Sequence, residues 1–320
     1  MTKATIRAFR LSDASRLAEL VYACNLADGW AHRETAESLE PCGVADPTVP
    51  PERFWLVAEA AGRLVGLATL VREKGTRLYA LPWVLPEWRG RGIERDLIAG
   101  MSLNAQGLDE PVLDVPVRPT QPTYAAALES ELGFSVVRTW YVMRIELNRD
   151  LPAPIFPPGV SLRQFVPGQD EVMLTGLIND VFWDHWGEGT HTLDEIQHDV
   201  SPPFDPGLLL FVQRAGQVLG YVWGWLNPEL VRVTGEGCVY IGDLGMRPAY
   251  RRQGLGRALL LHELRELRAR GLTAAELDMD GPNANARRLY ESLGFYAKQE
   301  VRWFRRELRS QRQEATAQGH

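Results

Sequence analysis

The feature that most limits the fold of this chain is an internal repeat. Gly92 and Gly254 lie 162 residues apart, and each opens an apolar helical stretch after an Arg-rich loop. "LGF" occurs at 132–134 and again at 293–295, and "LDV" at 113–115 answers "LDM" at 277–279. Nearer the start of each half, "IRAF" (6–9) matches "LRQF" (162–165), and "AAGRLVG" (60–66) matches "RAGQVLG" (214–220). Five matches in one order, with small length differences between them, indicate one structural unit used twice. The segment "NRDLPAPIFPPGV" at 148–160 has the Pro-rich, polar character of a seam. The expected domains are therefore 1–152 and 158–308, followed by a disordered polar tail at 309–320.

Each half has the same mixed pattern. A short strand leads into a helix ("DASRLAELVYAC", "DEVMLTGLINDVF"). A hairpin follows ("FWLVAEAAGRLVGLATLV", "LLLFVQRAGQVLGYVWGWL"), with two β-rich runs around a Gly-containing turn. In the second half a further strand enters the Arg/Gly loop and its helix. A strand ("AAELDMD"), a helix ("NANARRLYESL") and a last strand ("VRWFRREL") close the unit. This order predicts an α/β (α+β) protein of two tandem units, each a mixed, mostly antiparallel sheet flanked by helices.

Composition narrows the function. The 320 residues are 45% hydrophobic and 24% charged, as in globular proteins. A net charge of −6 argues against a nucleic-acid partner, which needs a basic field. No apolar run approaches the roughly 18 residues of a membrane span, and the polar start "MTKATIRAFRLSDASRL" has no signal-peptide core. Cys24, Cys42 and Cys238 are odd in number, widely spaced and form no CxxC pair, so neither a disulfide framework nor a zinc site is expected. His185, His191 and His198 also lack metal-ligand spacing. The expectation is a cytoplasmic monomer or homodimer, without membrane, metal or nucleic acid.

The chemistry concentrates at "RRQGLGRALL", 251–260. The first turn of a helix carries N–H groups with no intrahelical acceptor, and with the helix dipole they form an anion site. Glycines allow a phosphate to approach the backbone closely. Arg side chains and successive loop N–H groups complete such a cradle. Alone, this short pattern is also what a helix start with chance glycines would give.

Two stretches together carry a family resemblance: "YIGDLGMRPAYRRQGLGRALL" and "LDMDGPNANARRLYESLGF". They resemble the GNAT superfamily of acetyl-CoA-dependent N-acetyltransferases, over most of 160–306. The resemblance implies that the backbone of Leu244 and Met246 pairs with the pantetheine arm of acetyl-CoA. It implies that Arg251, Arg252, Gln253, Gly254, Leu255, Gly256 and Arg257 hold the pyrophosphate, and that Asn283 contacts the cofactor near its reacting end. Tyr290 would be the general acid for the leaving thiolate, a role that suits a phenol still protonated at neutral pH. The general base is left open. Relatives often carry Glu or His two or four residues before the first pantetheine contact, where this chain has Gly242 and Tyr240. Asp243 is the base or support candidate, re-aimed by a bulge, with Asp278, Asp280 and a water relay as alternatives.

The first half departs from the motif. Glu94 stands where Gly256 does, and Pro82 where Leu244 does. The positions of Asn283 and Tyr290 fall on Pro122 and Glu129. This half is expected to be a degenerate copy, acting as scaffold or binding acyl-CoA without turnover. The tandem layout resembles that of the mycothiol synthases. They carry Glu at the position of Tyr240, so the likeness extends to architecture and not to the acceptor.

The acceptor stretch in the second half is "INDVFWDHWGEGTHTLDEIQHDV", 178–200. Trp183, Asp184, His185, Trp186, Glu188 and His191, with Trp223 and Trp225 of the hairpin, suit a small polar amine through stacking, cation–π contact and charge pairing. The same residues also suit a helix end packed by Trp and capped by polar groups. The functions expected are acetyl transfer to a primary amine of a small molecule by direct attack or, alternatively, acyl-CoA sensing without turnover.

Overall fold

The computed structural model describes residues 3–28, 49–73, 77–106, 108, 111–186, 189–202, 204–226, 231–232 and 235–308. The tail from 309, Cys42 and Glu188 lie outside the described residues. In chain order the elements are β1 (Thr5–Ala8), α1 (Ala14–Ala27), β2 (Leu56–Ala60), β3 (Arg63–Glu73), β4 (Arg77–Val84), α2 (Ile93–Ala105), β5 (Val112–Val117), α3 (Pro122–Ser130) and β6 (Ser135–Glu146). They continue with β7 (Val160–Gln164), α4 (Glu171–Phe182), α5 (Leu193–Asp199), β8 (Leu209–Arg214), β9 (Gln217–Leu226), β10 (Cys238–Met246), α6 (Leu255–Ala269), β11 (Ala274–Asp280), α7 (Ala284–Leu293) and β12 (Tyr296–Glu307).

These elements form two compact units. Unit 1 is Met1–Thr139 with Glu300–His320, and unit 2 is Trp140–Gln299. Each unit takes its last strand from the other half of the sequence. In unit 1 the sheet runs β1-β2-β3-β4-β5-β12, with Phe304 of β12 opposite Val115 of β5. In unit 2 it runs β7-β8-β9-β10-β11-β6, with Val142 of β6 opposite Asp278 of β11. Among the described residues, only β4–β5 and β10–β11 pair in parallel; the other pairings within each unit are antiparallel. Both sheets are thus mixed, as the order of elements predicts.

Unit 2 shows why its strands read as almost continuous apolar runs: both faces of its sheet are covered. Leu210, Val212, Val222, Val239 and Ile241 pack with Leu255, Leu259, Leu260, Leu264 and Leu267 of α6. Leu209, Phe211, Tyr221 and Trp223, on the other face, pack with Leu174, Leu177, Ile178 and Val181 of α4 and Ile196 of α5. The period-2 alternation along β8 and β9 sorts these side chains between two cores. In unit 1, α1 covers one face through Leu17, Leu20 and Val21, and α2 the other through Leu97, Ile98 and Met101. Among the described residues, no helix is long and apolar enough to cross a membrane.

One core position breaks the pattern. Glu263 of α6 is 1% exposed, and its Oε1 has no hydrogen-bond partner. Burial pushes this carboxyl up from 4.5 to about 7. A folded-state value above the unfolded one means that the native state holds the proton more tightly. The resulting stabilisation is complete below about pH 4.5 and is lost as pH rises through 7. Glu263→Gln should therefore raise the melting temperature by several degrees at pH 8 and change it little at pH 5, as measured by thermal unfolding across that range.

Candidate active site

The site of unit 2 begins with a pairing that stops. β10 and β11 are joined at Cys238–Ala274, Val239–Ala275 and Tyr240–Glu276. Beyond these, β10 stays with β9 as far as Met246, and β11 stays with β6 as far as Asp280. The two parallel strands part, and each presents an inner backbone edge to the gap. Such an edge is a template for an added extended segment.

A bulge reshapes β10 at the point of parting. Ile241 lies opposite Gly224 and Asp243 opposite Trp223, so Gly242 is the extra residue. A regular strand would put Asp243 on the face of Val239 and Ile241, under α6. The bulge instead puts it on the face of Tyr240. There the Tyr221 hydroxyl donates to Asp243 Oδ2 at 3.0 Å. Glycine is required at 242 because Trp225 packs on the bulge: a Cβ would lie 2.8 Å from Trp225 Nε1 and 3.1 Å from its Cδ1. Asp278 shares this face, two residues beyond the Tyr240–Glu276 pair, and is hydrogen-bonded to Tyr240. The Tyr240 phenol is raised well above its ordinary value, first by burial of the hydroxyl, then by Asp278, Asp243 and Tyr290.

Tyr290 lies on the opposite face. It packs in the core with Ile241, Met246, Leu277 and Met279, and its ring is tilted on Phe295 at 5.6 Å. Burial pushes its phenol up to about 12, so it holds its proton at neutral pH. The proton-holding group and the carboxylates Asp243 and Asp278 thus stand on opposite faces of the sheet, beside the gap.

The Arg/Gly loop follows β10. Arg252 adopts φ 61° and Gly254 φ 81°, two left-handed residues that turn the chain into α6. Gly254 is the N-cap, and no side chain caps the helix. Among the described residues, no backbone carbonyl accepts from the N–H groups of 252–257. A Cβ at Gly256 would meet only Met246 Cγ, at 3.8 Å. The fold itself therefore leaves room at 256, and the open donors fit a phosphate group.

Other predicted residues have partners that the sequence did not reveal. Arg251 is a clamp: its Nε donates to the Met246 carbonyl at 3.1 Å, Nη2 to the Val181 carbonyl at 2.6 Å, and Nη1 lies 3.4 Å from Asp184. Gln253 Nε2 donates to the Ala249 carbonyl, and Arg257 to Ser292. Asn283 caps α7, its Oδ1 accepting from Ala286 N at 3.0 Å. The equivalent cap of α3 is Gln121, one residue before the position expected from the repeat.

The aromatic residues predicted for the acceptor divide into four environments. Trp183 is 72% exposed and lines a groove of about 490 Å³ with Asn179, Asp180, Arg247 and Tyr250. His185 packs edge-on to Phe182 at 5.0 Å. Trp223 is buried, stacked on Trp225 at 4.6 Å. Trp186 meets Trp140, ring centroids 6.1 Å apart. Trp140, opposite Asp280 on β6, is a residue that reading the halves separately missed. Arg144, also of β6, is buried and fixes that strand to β11 through Glu276 at 2.7 Å. Among the described residues, no group of three or more His, Cys, Asp or Glu is placed to hold a metal ion.

Residues 178–295 match the model of the acetyltransferase (GNAT) family. The chain is 38% identical over 222 residues to a mycothiol acetyltransferase of Thermobispora bispora, covering 66% of this chain and 70% of that one. It is 36% identical over 303 residues to the mycothiol acetyltransferase of Frankia alni, covering 89% and 88%. A solved GCN5-related N-acetyltransferase from Sphaerobacter thermophilus superposes with a TM-score of 0.73 at 25% identity over 96% of both chains. A tandem GNAT protein from the clavulanic acid biosynthesis pathway shares the fold, with a TM-score of 0.65 at 17% identity over 96% of this chain and 99% of that one.

Gly242→Ala should force Trp225 off the bulge. The expected result is a melting temperature lower by several degrees, an overpacking cost of about 1–3 kcal/mol, with a shift in tryptophan fluorescence.

Proposed function

The chain belongs to the GNAT family of acetyltransferases, and from that premise we propose that unit 2 moves an acetyl group from acetyl-CoA to the primary amine of a small molecule. The names of the relatives support, as acceptor, a small thiol-bearing amine of the mycothiol type. The observation that carries the reading is the gap between β10 and β11, with the open N–H groups of 252–257 at its end and Tyr290 at its side.

The residues present fit acetyl-CoA. The inner edge of β10 at Leu244 and Met246 offers backbone pairing to an extended arm. The donors of 252–257 suit a pyrophosphate, with Arg252 and Arg257 adding charge at the loop. Arg251 acts at one remove, by tying the loop to Met246, Val181 and Asp184.

Acetyl-CoA supplies a thioester that an amine attacks, and a thiolate leaves. The chain has to take a proton from the ammonium and give one to the sulfur. Tyr290, protonated at neutral pH, is the donor. Asp243 is the acceptor of the ammonium proton, oriented by Tyr221. The bulge matters because it moves this carboxylate to the face opposite Tyr290. An amine entering from one face and a thiolate leaving toward the other then meet different groups. Tyr240 and Asp278, bonded to each other on the same face as Asp243, bound the amine side of the gap.

Purified protein incubated with acetyl-CoA and a panel of amines, thiol-bearing ones included, should give acetylated product by mass spectrometry. Tight acetyl-CoA binding with no product on any amine would favour a sensor that does not turn over. On a good acceptor, Tyr290→Phe should lower kcat about 100-fold or more with the KM for acetyl-CoA little changed. Equal kcat in wild type and Tyr290→Phe removes the acid assignment. Asp243→Asn should flatten the acidic limb of the kcat/KM profile against pH; an unaltered limb would move the base to Asp278.

A further inference from the structure

The first copy of the Arg/Gly loop, in unit 1, has kept its backbone. Gly90 and Arg252 correspond and have φ 70° and 61°; Gly92 and Gly254 correspond and have φ 79° and 81°. Both glycines are N-caps without a side-chain cap, at ψ 6° and −7°. The clamp is repeated too. Arg89 Nε donates to the Val84 carbonyl at 3.0 Å, and its guanidinium holds Asp28 at 2.7 and 3.0 Å. In unit 2, Arg251 does the same with Met246 and Asp184.

What differs is the occupant. Where unit 2 has open space at Gly256, unit 1 has Glu94, 3% exposed. The Glu94 carboxyl folds back on the backbone N–H groups of Glu94 and Gly90; burial raises it above its ordinary value, and these N–H groups with Arg89 pull it part of the way down. Their counterparts in unit 2 are the N–H groups of Gly256 and Arg252, for which no backbone carbonyl acts as acceptor among the described residues. A buried carboxylate is costly, and the two backbone N–H groups together with the Arg89 guanidinium offset part of that cost. A second buried polar group points to the same spot. Tyr124 is 5% exposed, its hydroxyl is buried with no hydrogen-bond partner, and it is close enough to feel the charge of Glu94.

We propose that Glu94 is the built-in ligand of the unit 1 cradle: its carboxylate occupies the backbone donors that unit 2 keeps open for a phosphate, so unit 1 is complete without a diphosphate and closed to one. This rests on backbone and side-chain geometry within unit 1 and does not depend on the reaction proposed for unit 2.

The full-length chain tests this with inorganic pyrophosphate as probe, read by titration calorimetry and thermal shift. Glu94→Gly should bind one equivalent more than wild type, whatever number wild type binds. It should also melt lower than wild type and recover on adding pyrophosphate. An unchanged stoichiometry in a folded Glu94→Gly protein overturns the proposal. So does wild-type binding of pyrophosphate to the unit 1 loop, seen as an equivalent lost on Gly92→Val. Because Glu94→Gly can fail to fold, the reciprocal graft provides the second arm. Gly256→Glu should close the unit 2 cradle, weakening pyrophosphate binding at least 100-fold while leaving the melting temperature unchanged or higher. Wild-type affinity in Gly256→Glu overturns the idea that a glutamate at this position fills the donors. Acetyl transfer in Glu94→Gly should stay at the wild-type rate. An inactive wild type that nonetheless gains a pyrophosphate site on Glu94→Gly would refute the proposed reaction and keep this inference.

Discussion

The parting of β10 from β11 after Tyr240 and Glu276 is the constraint on which the rest of the site depends. Each strand is satisfied on its outer side, β10 by β9 and β11 by β6, so the sheet survives the gap. On the inner side, backbone groups of β10 are left to find a partner, and buried backbone groups rarely go without one. An extended ligand arm answers that demand in the way a strand would. The same parting explains the bulge. With β11 turning away, Gly242 can be taken up as an extra residue without breaking a second ladder, and Asp243 changes face.

Much of this was legible in the sequence because it is local. The repeat shows in short matching words. The Arg/Gly loop shows because left-handed turns and helix starts have few suitable residues, and Gly254 does hold a left-handed N-cap. "NANARRLYESLGF" points to Tyr290, whose ring packs on Phe295 just past the left-handed Gly294 cap of α7. A bulge near Asp243 could be imagined from the missing carboxylate at 240 and 242. Its position could not, because a bulge is defined against a partner strand, and here the partner residue is Trp223.

What stayed hidden depends on tertiary partners. Arg251 beside two glycines looks like a phosphate ligand, yet its guanidinium is committed to carbonyls at 246 and 181 and to Asp184. Asn283 looks like a cofactor contact and serves as a helix cap. The density of Trp between 183 and 186 suggested one pocket, whereas Trp183 faces solvent and Trp186 packs on Trp140. In each case residue type announces a capacity, and only the fold says which of several nearby partners uses it.

The exchange of last strands separates the unit of repetition from the unit of packing. Residues 140–146 are read with the first repeat but complete the sheet of unit 2, and residues 300–307 are read with the second repeat but complete unit 1. A gene fragment beginning at the Pro-rich seam would leave β11 without β6, baring the edge that carries Asp278 and Asp280. The two copies are therefore not free to drift apart independently. A change at Trp140 or Arg144 is inherited with the first repeat and felt beside the gap of unit 2, so selection on unit 2 reaches back into the first repeat.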